Sequence, residues 1–242
     1  MRDLTRRDCI KGAAMLAGTA GALNATPRRS APKPGGIKLA EVLSLEDESR
    51  LRLARQIGVN YVIAGAQGVT AKVRREQYVE VLTKLKQDYA AHGFKIAGVE
   101  SHPVPAEKIK LGLPGRDEEI ENYRAVIDAL GRVGIPVLCY NFMAGLGWYR
   151  TSTNVPQRGG ALTSEFDYSA AQAQGLTQWG EISEEKIWDN ITYFVKAVLP
   201  VAEKAGVKMA LHPDDPPISP LRGIGRILTS AKNYRRVMEI VP

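Results

Sequence analysis

The chain has 242 residues, of which 44% are hydrophobic, and a formal net charge of +7. This length suits one generous domain or two small ones with a sizeable core. The composition argues against nucleic acid as a partner, because seven of the basic residues precede the first predicted strand and the remaining body is nearly neutral. Two cysteines, Cys9 and Cys139, provide no disulfide framework.

The first 25 residues have the layout of an export signal: a basic start, a weakly apolar stretch from Gly12 to Leu23, and an Ala-x-Ala pattern at Ala20 and Ala22. The segment TRRDCIK at 5–11 is similar to the twin-arginine motif. We therefore expect a twin-arginine signal peptide over 1–25, a linker over 26–36, and delivery to the periplasm by the twin-arginine (Tat) export machinery. The alternative is a chance Arg-Arg pair before a buried helix. The apolar stretch is too short for a permanent membrane span.

From residue 37 onward the pattern alternates between strands and helices. We predict strands over 38–43, 60–65, 95–101, 135–142 and 207–212. We predict helices over 46–57 with Ser44 as N-cap, then over 74–91, 117–133, 183–205 and from 233. Pro200 should kink or split the fourth helix. A long polar segment over 143–180 shows no hairpin signal, and a loop of that length is usually functional.

Five βα units with apolar strands predict an α/β fold with a parallel sheet. Two architectures remain open, a doubly wound sheet and a (β/α) barrel of the TIM type. No GxGxxG loop follows a strand, and the strand ends are polar at 100–102, 140–141 and 212–215, which favours the barrel. Residues 37–242 would then hold about five of the eight units of a (β/α)₈ barrel.

The segment KMALHPDDPP at 208–217 is the strongest candidate for chemistry. A short apolar strand ends in His212, Asp214 and Asp215, and prolines then stop it. His212 can bind a metal or transfer a proton, and the carboxylates can orient it or hold a polyol. A surface turn with an incidental histidine explains the same residues equally well, and Asp215 would then only cap the turn. Cys139 lies in an apolar run and is interpreted as a packing thiol.

Three further blocks join HPDDPP in a resemblance that runs from about residue 37 to 242: VES at 99–101, CYNFM at 139–143 and WYRT at 148–151. Together they resemble the mannonate dehydratases of hexuronate catabolism, a branch of carbohydrate metabolism. The resemblance implies a xylose-isomerase-like TIM barrel and a hydro-lyase that converts D-mannonate to 2-keto-3-deoxy-D-gluconate and water. It also implies a divalent cation, typically manganese, with Fe²⁺ or another divalent cation as the alternative.

The same resemblance assigns roles to individual residues. His212 matches a metal ligand. Asn141, Trp148, Arg150 and Asp214 match the substrate-binding positions, where Arg150 would clamp the substrate carboxylate in bidentate fashion. Arg150 and Asp214 are the catalytic candidates. Without the family, Arg150 would be interpreted as a solvated loop cation and Trp148 as a core or lid aromatic. His102 has no counterpart in the family pattern, so we expect it to be structural.

The family's other ligands, a cysteine, a second histidine and an aspartate, come from strands six to eight. We therefore expect this chain to be the N-terminal part of the barrel, apparently truncated and inactive by itself. Two alternatives remain: a sugar isomerase or epimerase on the same barrel, and an inactive exported fragment that binds sugar acids. A homo-oligomer also stays open.

Overall fold

The computed structural model describes residues 37–241. The predicted signal peptide, the predicted linker and Pro242 lie outside the described residues. The compact body begins at Leu39, and all elements below belong to it. No helix of this described part is long and apolar enough to cross a membrane.

The main sheet has five parallel strands, which pair in the order β1-β2-β3-β4-β7. Their bounds are Ala40–Val42 (β1), Tyr61–Gly65 (β2), Lys95–Glu100 (β3), Val137–Tyr140 (β4) and Lys208–Leu211 (β7). Each strand of this sheet pairs with the strand of the same sheet that follows it along the chain, without the reversal of strand order that defines a doubly wound sheet. The predicted α/β fold with consecutive barrel-like βα units is therefore confirmed.

Eight α-helices accompany the strands of the described part. Their bounds are Glu48–Ile57 (α1), Gln67–Thr70 (α2), Tyr78–Ala91 (α3), Glu107–Leu111 (α4), Arg116–Val133 (α5), Tyr168–Ala173 (α6), Glu184–Ala205 (α7) and Ala231–Met238 (α8). The prediction of Ser44 as the first N-cap is wrong. Asp47 caps α1 by accepting from the amide of Arg50 at 3.0 Å, while Ser44 accepts from the amide of Glu46 in the preceding turn.

The long polar segment contains a β-hairpin, formed by Ser152–Pro156 (β5) and Leu162–Glu165 (β6). The absence of a hairpin signal was therefore misleading. The strands are largely exposed and polar, which hides the apolar alternation that identifies a strand. The turn uses Gly159 and Gly160 at φ values of 73° and 82°, which glycine adopts without strain.

Helix α7 is one continuous helix through Pro200, so the predicted split of this helix is wrong. Its apolar face is buried on both sides of the proline, through Phe194 and Val198 before it and Ala202 after it. Helices α5 and α7 approach closely, because a Cβ on Gly131 would lie 2.4 Å from the carbonyl oxygen of Ala205. The buried faces of both helices belong to the same hydrophobic core as Val99 of β3 and Leu138 of β4.

Candidate active site

A cavity of about 570 Å³ lies where the main-sheet strands end. Its walls come from the segments that follow β2, β3, β4 and β7, the end of the strands at which (β/α) barrels carry their chemistry. The lining residues are Gln67, Glu100, Ser101, His102, Pro105, Ala106, Glu107, Lys110, Asn141, Met143, Gly147, Trp148 and His212. The structure thus brings together His212, Asn141 and Trp148, which the sequence had placed in one site from distant segments.

His212 follows β7 and is held by two contacts. Its backbone amide donates to the carbonyl of Tyr140 at 2.7 Å, and its Nδ1 lies 2.7 Å from the carbonyl oxygen of Pro213. Because a carbonyl can only accept, Nδ1 must carry the proton, which leaves Nε2 unprotonated in the neutral ring. A metal-binding histidine is arranged in this way.

One imidazole does not make a metal site. Residues 37–241 contain no group of three His, Cys, Asp or Glu side chains placed to hold an ion. The described residues therefore do not fit a complete site for a divalent cation, and His212 supplies at most one of its ligands.

Asn141 and Trp148 also line the cavity. The Oδ1 atom of Asn141 accepts from the amide of Met143 at 3.2 Å, so the side-chain NH₂ group keeps its donors for another partner. Trp148 is 53% exposed, and the guanidinium carbon of Arg150 lies 4.2 Å from its ring centroid. This cation–π contact orients the exposed indole ring beside the cavity.

Arg150 does not line the cavity. Its Nη1 and Nη2 atoms donate to the two carboxylate oxygens of Asp215, each at 2.7 Å. The guanidinium holds the pKa of Asp215 below its usual value. Asp215 thus joins the HPDDPP and WYRT segments and does more than cap a turn. A substrate carboxylate would have to displace Asp215 before it could bind the Arg150 guanidinium. The role of Arg150 as a substrate clamp therefore stays a prediction.

Asp214 is also absent from the cavity lining. It is 3% exposed, its Oδ2 accepts from the amide of Leu228 at 2.7 Å, and its Oδ1 lies 3.8 Å from Nη1 of the buried Arg226. Burial raises the pKa of this carboxyl. Arg226 in turn donates to the carbonyl of Gly147 at 2.9 Å. These contacts indicate that Asp214 anchors the segment after His212, and a catalytic role for it stays a prediction.

We name these four residues, Arg150, Asp214, Asp215 and Arg226, the loop clamp. Two carboxylates on the segment after β7 each face one arginine. Asp215 pairs with the segment after β4, and Asp214 pairs within its own segment. The arrangement stabilises the backbone that presents Trp148 and His212.

Sequence reasoning missed Glu107 and Lys110, which together with His102 form a group that we name the cavity wall. Lys110 is only 8% exposed, and its Nζ donates to the carbonyl of Met143 at 3.1 Å and lies 3.1 Å from Oε2 of Glu107. The other oxygen of Glu107 accepts from the amide of Gly145 at 2.9 Å. The available signal was a Glu and a Lys three residues apart, in a short helix that begins seven residues after the end of β3.

His102 was expected to be only structural, yet it lines the cavity. It is 8% exposed, and its Nδ1 lies 3.1 Å from the hydroxyl of Tyr123. Its Nε2 is buried from solvent and has no partner of hydrogen-bond geometry among the described residues, while Asn141 approaches the ring through its backbone and its side chain. Burial, and then the charge of Lys110, lower the pKa of His102 to about 3, so the ring is neutral at physiological pH.

Glu100 and Cys139 face each other in the register of β3 and β4. Burial, and then a hydrogen bond with Glu100, raise the pKa of Cys139 to about 12. The thiol therefore stays protonated, which agrees with its interpretation as a packing residue and not a nucleophile. Glu100 itself contributes a carboxylate to the cavity lining.

The chain is similar to known proteins along most of its length. The family described as D-mannonate dehydratase (UxuA) matches residues 45–178 and 168–242. A mannonate dehydratase of Streptococcus equi subsp. zooepidemicus is 37% identical over 207 residues, which cover 74% of this chain and 56% of the relative. Mannonate dehydratase 2 of Halalkalibacterium halodurans is 38% identical over 184 residues, covering 66% and 53%.

Solved structures agree with these sequence matches. The crystal structure of mannonate dehydratase from Streptococcus suis serotype 2 superimposes with a TM-score of 0.71 at 31% identity, covering 85% of this chain and 61% of that one. A 3-keto-D-glucoside 4-epimerase from E. coli, at 11% identity and a TM-score of 0.51, shares the fold alone.

This chain spans a little over half the length of the curated relatives it matches. The matches nevertheless cover nearly all of the described body and include the segments that form the cavity. The chain therefore belongs to the D-mannonate dehydratase family.

Proposed function

We propose that the protein containing this chain removes water from D-mannonate to give 2-keto-3-deoxy-D-gluconate. One observation carries the proposal. In a chain of this family, side chains that can bind a polyol and an acid line a single cavity at the carboxyl ends of four parallel strands. The volume of about 570 Å³ is in the range of small-ligand sites.

In this proposal the residues divide into those that contact the substrate and those that position them. Asn141 donates its free NH₂ to substrate hydroxyls, and Trp148 covers the carbon chain. Glu100 offers an acceptor to hydroxyl protons. Arg150 and Asp214 act from outside the cavity, Arg150 by holding Trp148 and Asp214 by anchoring the segment after His212.

We further propose that a divalent cation, Mn²⁺ in the first instance and Fe²⁺ as the alternative, binds Nε2 of His212. The remaining ligands would come from residues outside 37–241. The support is the protonated Nδ1, which leaves Nε2 as a ligand atom.

Product analysis tests this function. The full-length protein is incubated with D-mannonate and MnCl₂, and the product is identified by mass spectrometry. We expect a keto acid that has lost one water, no product after chelation, and recovery when Mn²⁺ is returned. His212→Ala should abolish turnover, whereas His92→Ala, at the end of α3, should not. A product that retains every oxygen would indicate an isomerase or epimerase, and saturable binding without turnover would indicate a sugar-acid-binding protein.

The cellular location is a separate proposal. We propose export to the periplasm through the twin-arginine machinery, supported by the adjacent Arg6 and Arg7 and the Ala-x-Ala pattern. N-terminal sequencing of the protein from its host tests it. A first residue after Ala22 or Ala25 in the periplasmic fraction is expected, and an intact N-terminus confined to the cytoplasm would contradict it.

A further inference from the structure

Two side chains of α4 reach the loop that follows β4. Oε1 of Glu107 accepts from the amide of Gly145 at 2.9 Å, and Nζ of Lys110 donates to the carbonyl of Met143 at 3.1 Å. The two side chains also contact each other, because Oε2 of Glu107 lies 3.1 Å from Nζ of Lys110. Both carboxylate oxygens of Glu107 are therefore engaged, one by the loop backbone and one by the ammonium group.

The helix that carries these side chains is itself held in place. Asn190 of α7, which is 2% exposed, donates from Nδ2 to the carbonyl of Lys110 at 2.9 Å. Oε2 of Glu119 in α5 accepts from the amide of Ile109 at 3.1 Å. Glu107 thus projects from an anchored helix, and such an element presents a side chain more precisely than a loop does.

Gly145 lies in the middle of the loop that connects Asn141 to Trp148, two residues of the cavity lining. Its φ of 70° places a turn there. Among residues 37–241 the acceptor recorded for the Gly145 amide is the Glu107 carboxylate. The loop's own recorded hydrogen bonds span two residues each, so they shape the turn without fixing it to the rest of the fold. The bond to Glu107 supplies that attachment.

The charge of Glu107 does not favour an acidic substrate. A carboxylate in the cavity lining repels a sugar acid, because like charges repel. Loss of the charge alone would therefore strengthen binding of the acid, whereas loss of the bond to Gly145 would release the loop that presents the binding residues. The two effects have opposite signs, which makes the role of Glu107 testable.

We propose that Glu107 is a positioning residue for the sugar acid: its carboxylate holds the Gly145 amide and thereby fixes the loop that presents Asn141 and Trp148 to the substrate. The contact with Lys110 keeps the carboxylate in the orientation that this bond requires. This inference rests on the proposed function and adds a residue that acts through the loop and not by touching the substrate.

Two conservative substitutions separate the bond from the charge. In Glu107→Gln the side chain keeps its length and an acceptor oxygen for the Gly145 amide, but it loses the charge. In Glu107→Asp the charge is kept, but the shorter side chain no longer reaches Gly145. Binding of D-mannonate to the full-length protein in MnCl₂ is measured by calorimetry. The melting temperature reports folding, and amide hydrogen exchange over residues 141–148 reports the state of the loop.

The proposal expects Glu107→Asp to bind D-mannonate about tenfold more weakly and to exchange the amides of 141–148 faster, while it melts near the wild type. Glu107→Gln should bind within a few-fold of the wild type and keep the slow exchange. A loss in Glu107→Gln and not in Glu107→Asp would assign the role to the charge and overturn the proposal. Faster exchange in Glu107→Asp without weaker binding would overturn it as well.

The remaining arms complete the test. If Glu107→Asp does not fold, Glu107→Gln decides by itself: binding within a few-fold supports the proposal, and a tenfold loss overturns it. Glu203→Gln, at an exposed position near the end of α7, is the matched control and should change neither binding nor exchange. A wild type that binds D-mannonate no more tightly than Glu107→Asp overturns this inference alone. A wild type that binds no D-mannonate overturns the proposed function, and the inference with it.

Discussion

The loop clamp and the cavity wall lie near the same ends of the strands, and both bury charged side chains, but they differ in where those charges lie relative to the cavity. In the loop clamp each carboxylate faces an arginine, and none of the four side chains is among the residues that line the cavity. The clamp is not fully satisfied, because Oδ1 of Asp214 and Nε of Arg226 have no hydrogen-bond partner among the described residues. In the cavity wall, the Lys110 ammonium contacts the carbonyl of Met143 and the carboxylate of Glu107, which leaves one donor on the cation that lines the cavity.

The largest expected effect is on the stability of the loop clamp. Arg226→Met leaves the Asp214 carboxylate buried without its cation, since both side chains are only 1% exposed. We expect the free energy of unfolding to fall by about 3–5 kcal/mol, measured by urea denaturation at neutral pH. Arg235→Met, on the exposed side of α8, should change it by no more than about 0.5 kcal/mol.

Adding Asp214→Leu to Arg226→Met sharpens the same prediction. The double variant removes the buried carboxylate that has lost its cation, and it should recover part of the lost stability. A single-variant loss below about 1 kcal/mol would show that the pair does not stabilise the loop.

The next effect falls on ligand binding. Lys110→Met removes the only cation in the cavity lining of the described residues. We expect D-mannonate to bind about tenfold to a hundredfold more weakly, with a smaller loss of stability than in Arg226→Met. Calorimetry and denaturation of the same samples provide both values. Lys84→Met, which breaks an exposed ion pair with Asp88, is the matched control and should leave binding unchanged.

The smallest expected effect is on the pH dependence of stability, and it comes from the Arg150–Asp215 pair of the loop clamp. Arg150 lowers the pKa of Asp215 in the folded protein, so this pair stabilises the fold above the unfolded pKa of about 4 and loses its contribution as pH falls through the lower folded value. Near pH 7 we expect Asp215→Asn to be about 1 kcal/mol less stable than the wild type.

This difference should shrink steadily below about pH 4. Urea denaturation of both proteins across that range provides the measurement. A difference that grows on acidification would contradict the assigned ion pair.

Sequence patterns were sufficient to predict the fold and about half of the site residues. Apolar strands separated by capped helices predicted the parallel sheet, and polar residues at strand ends predicted that Asn141 and His212 would meet in one cavity. These features are local or follow from topology, since the carboxyl ends of parallel strands share one edge.

The errors arose where long-range partners determine a role. The sequence predicted that Arg150 is free to bind the substrate. In the structure its guanidinium is bound to Asp215, which lies 65 residues away. His102 was interpreted as structural and Lys110 was not singled out, because their burial depends on Tyr123 and on Met143, 21 and 33 residues away. The hairpin was missed because its exposed strands need no apolar face.

The central claim is that the cavity at the strand ends binds a sugar acid through the cavity wall while the loop clamp only supports it. The most direct measurement is calorimetric titration of D-mannonate, in MnCl₂, into the full-length wild type, Lys110→Met and Arg150→Lys. The account predicts saturable binding to the wild type, at least tenfold weaker binding to Lys110→Met, and binding by Arg150→Lys within a few-fold of the wild type. Loss of binding in Arg150→Lys with full binding in Lys110→Met would contradict it.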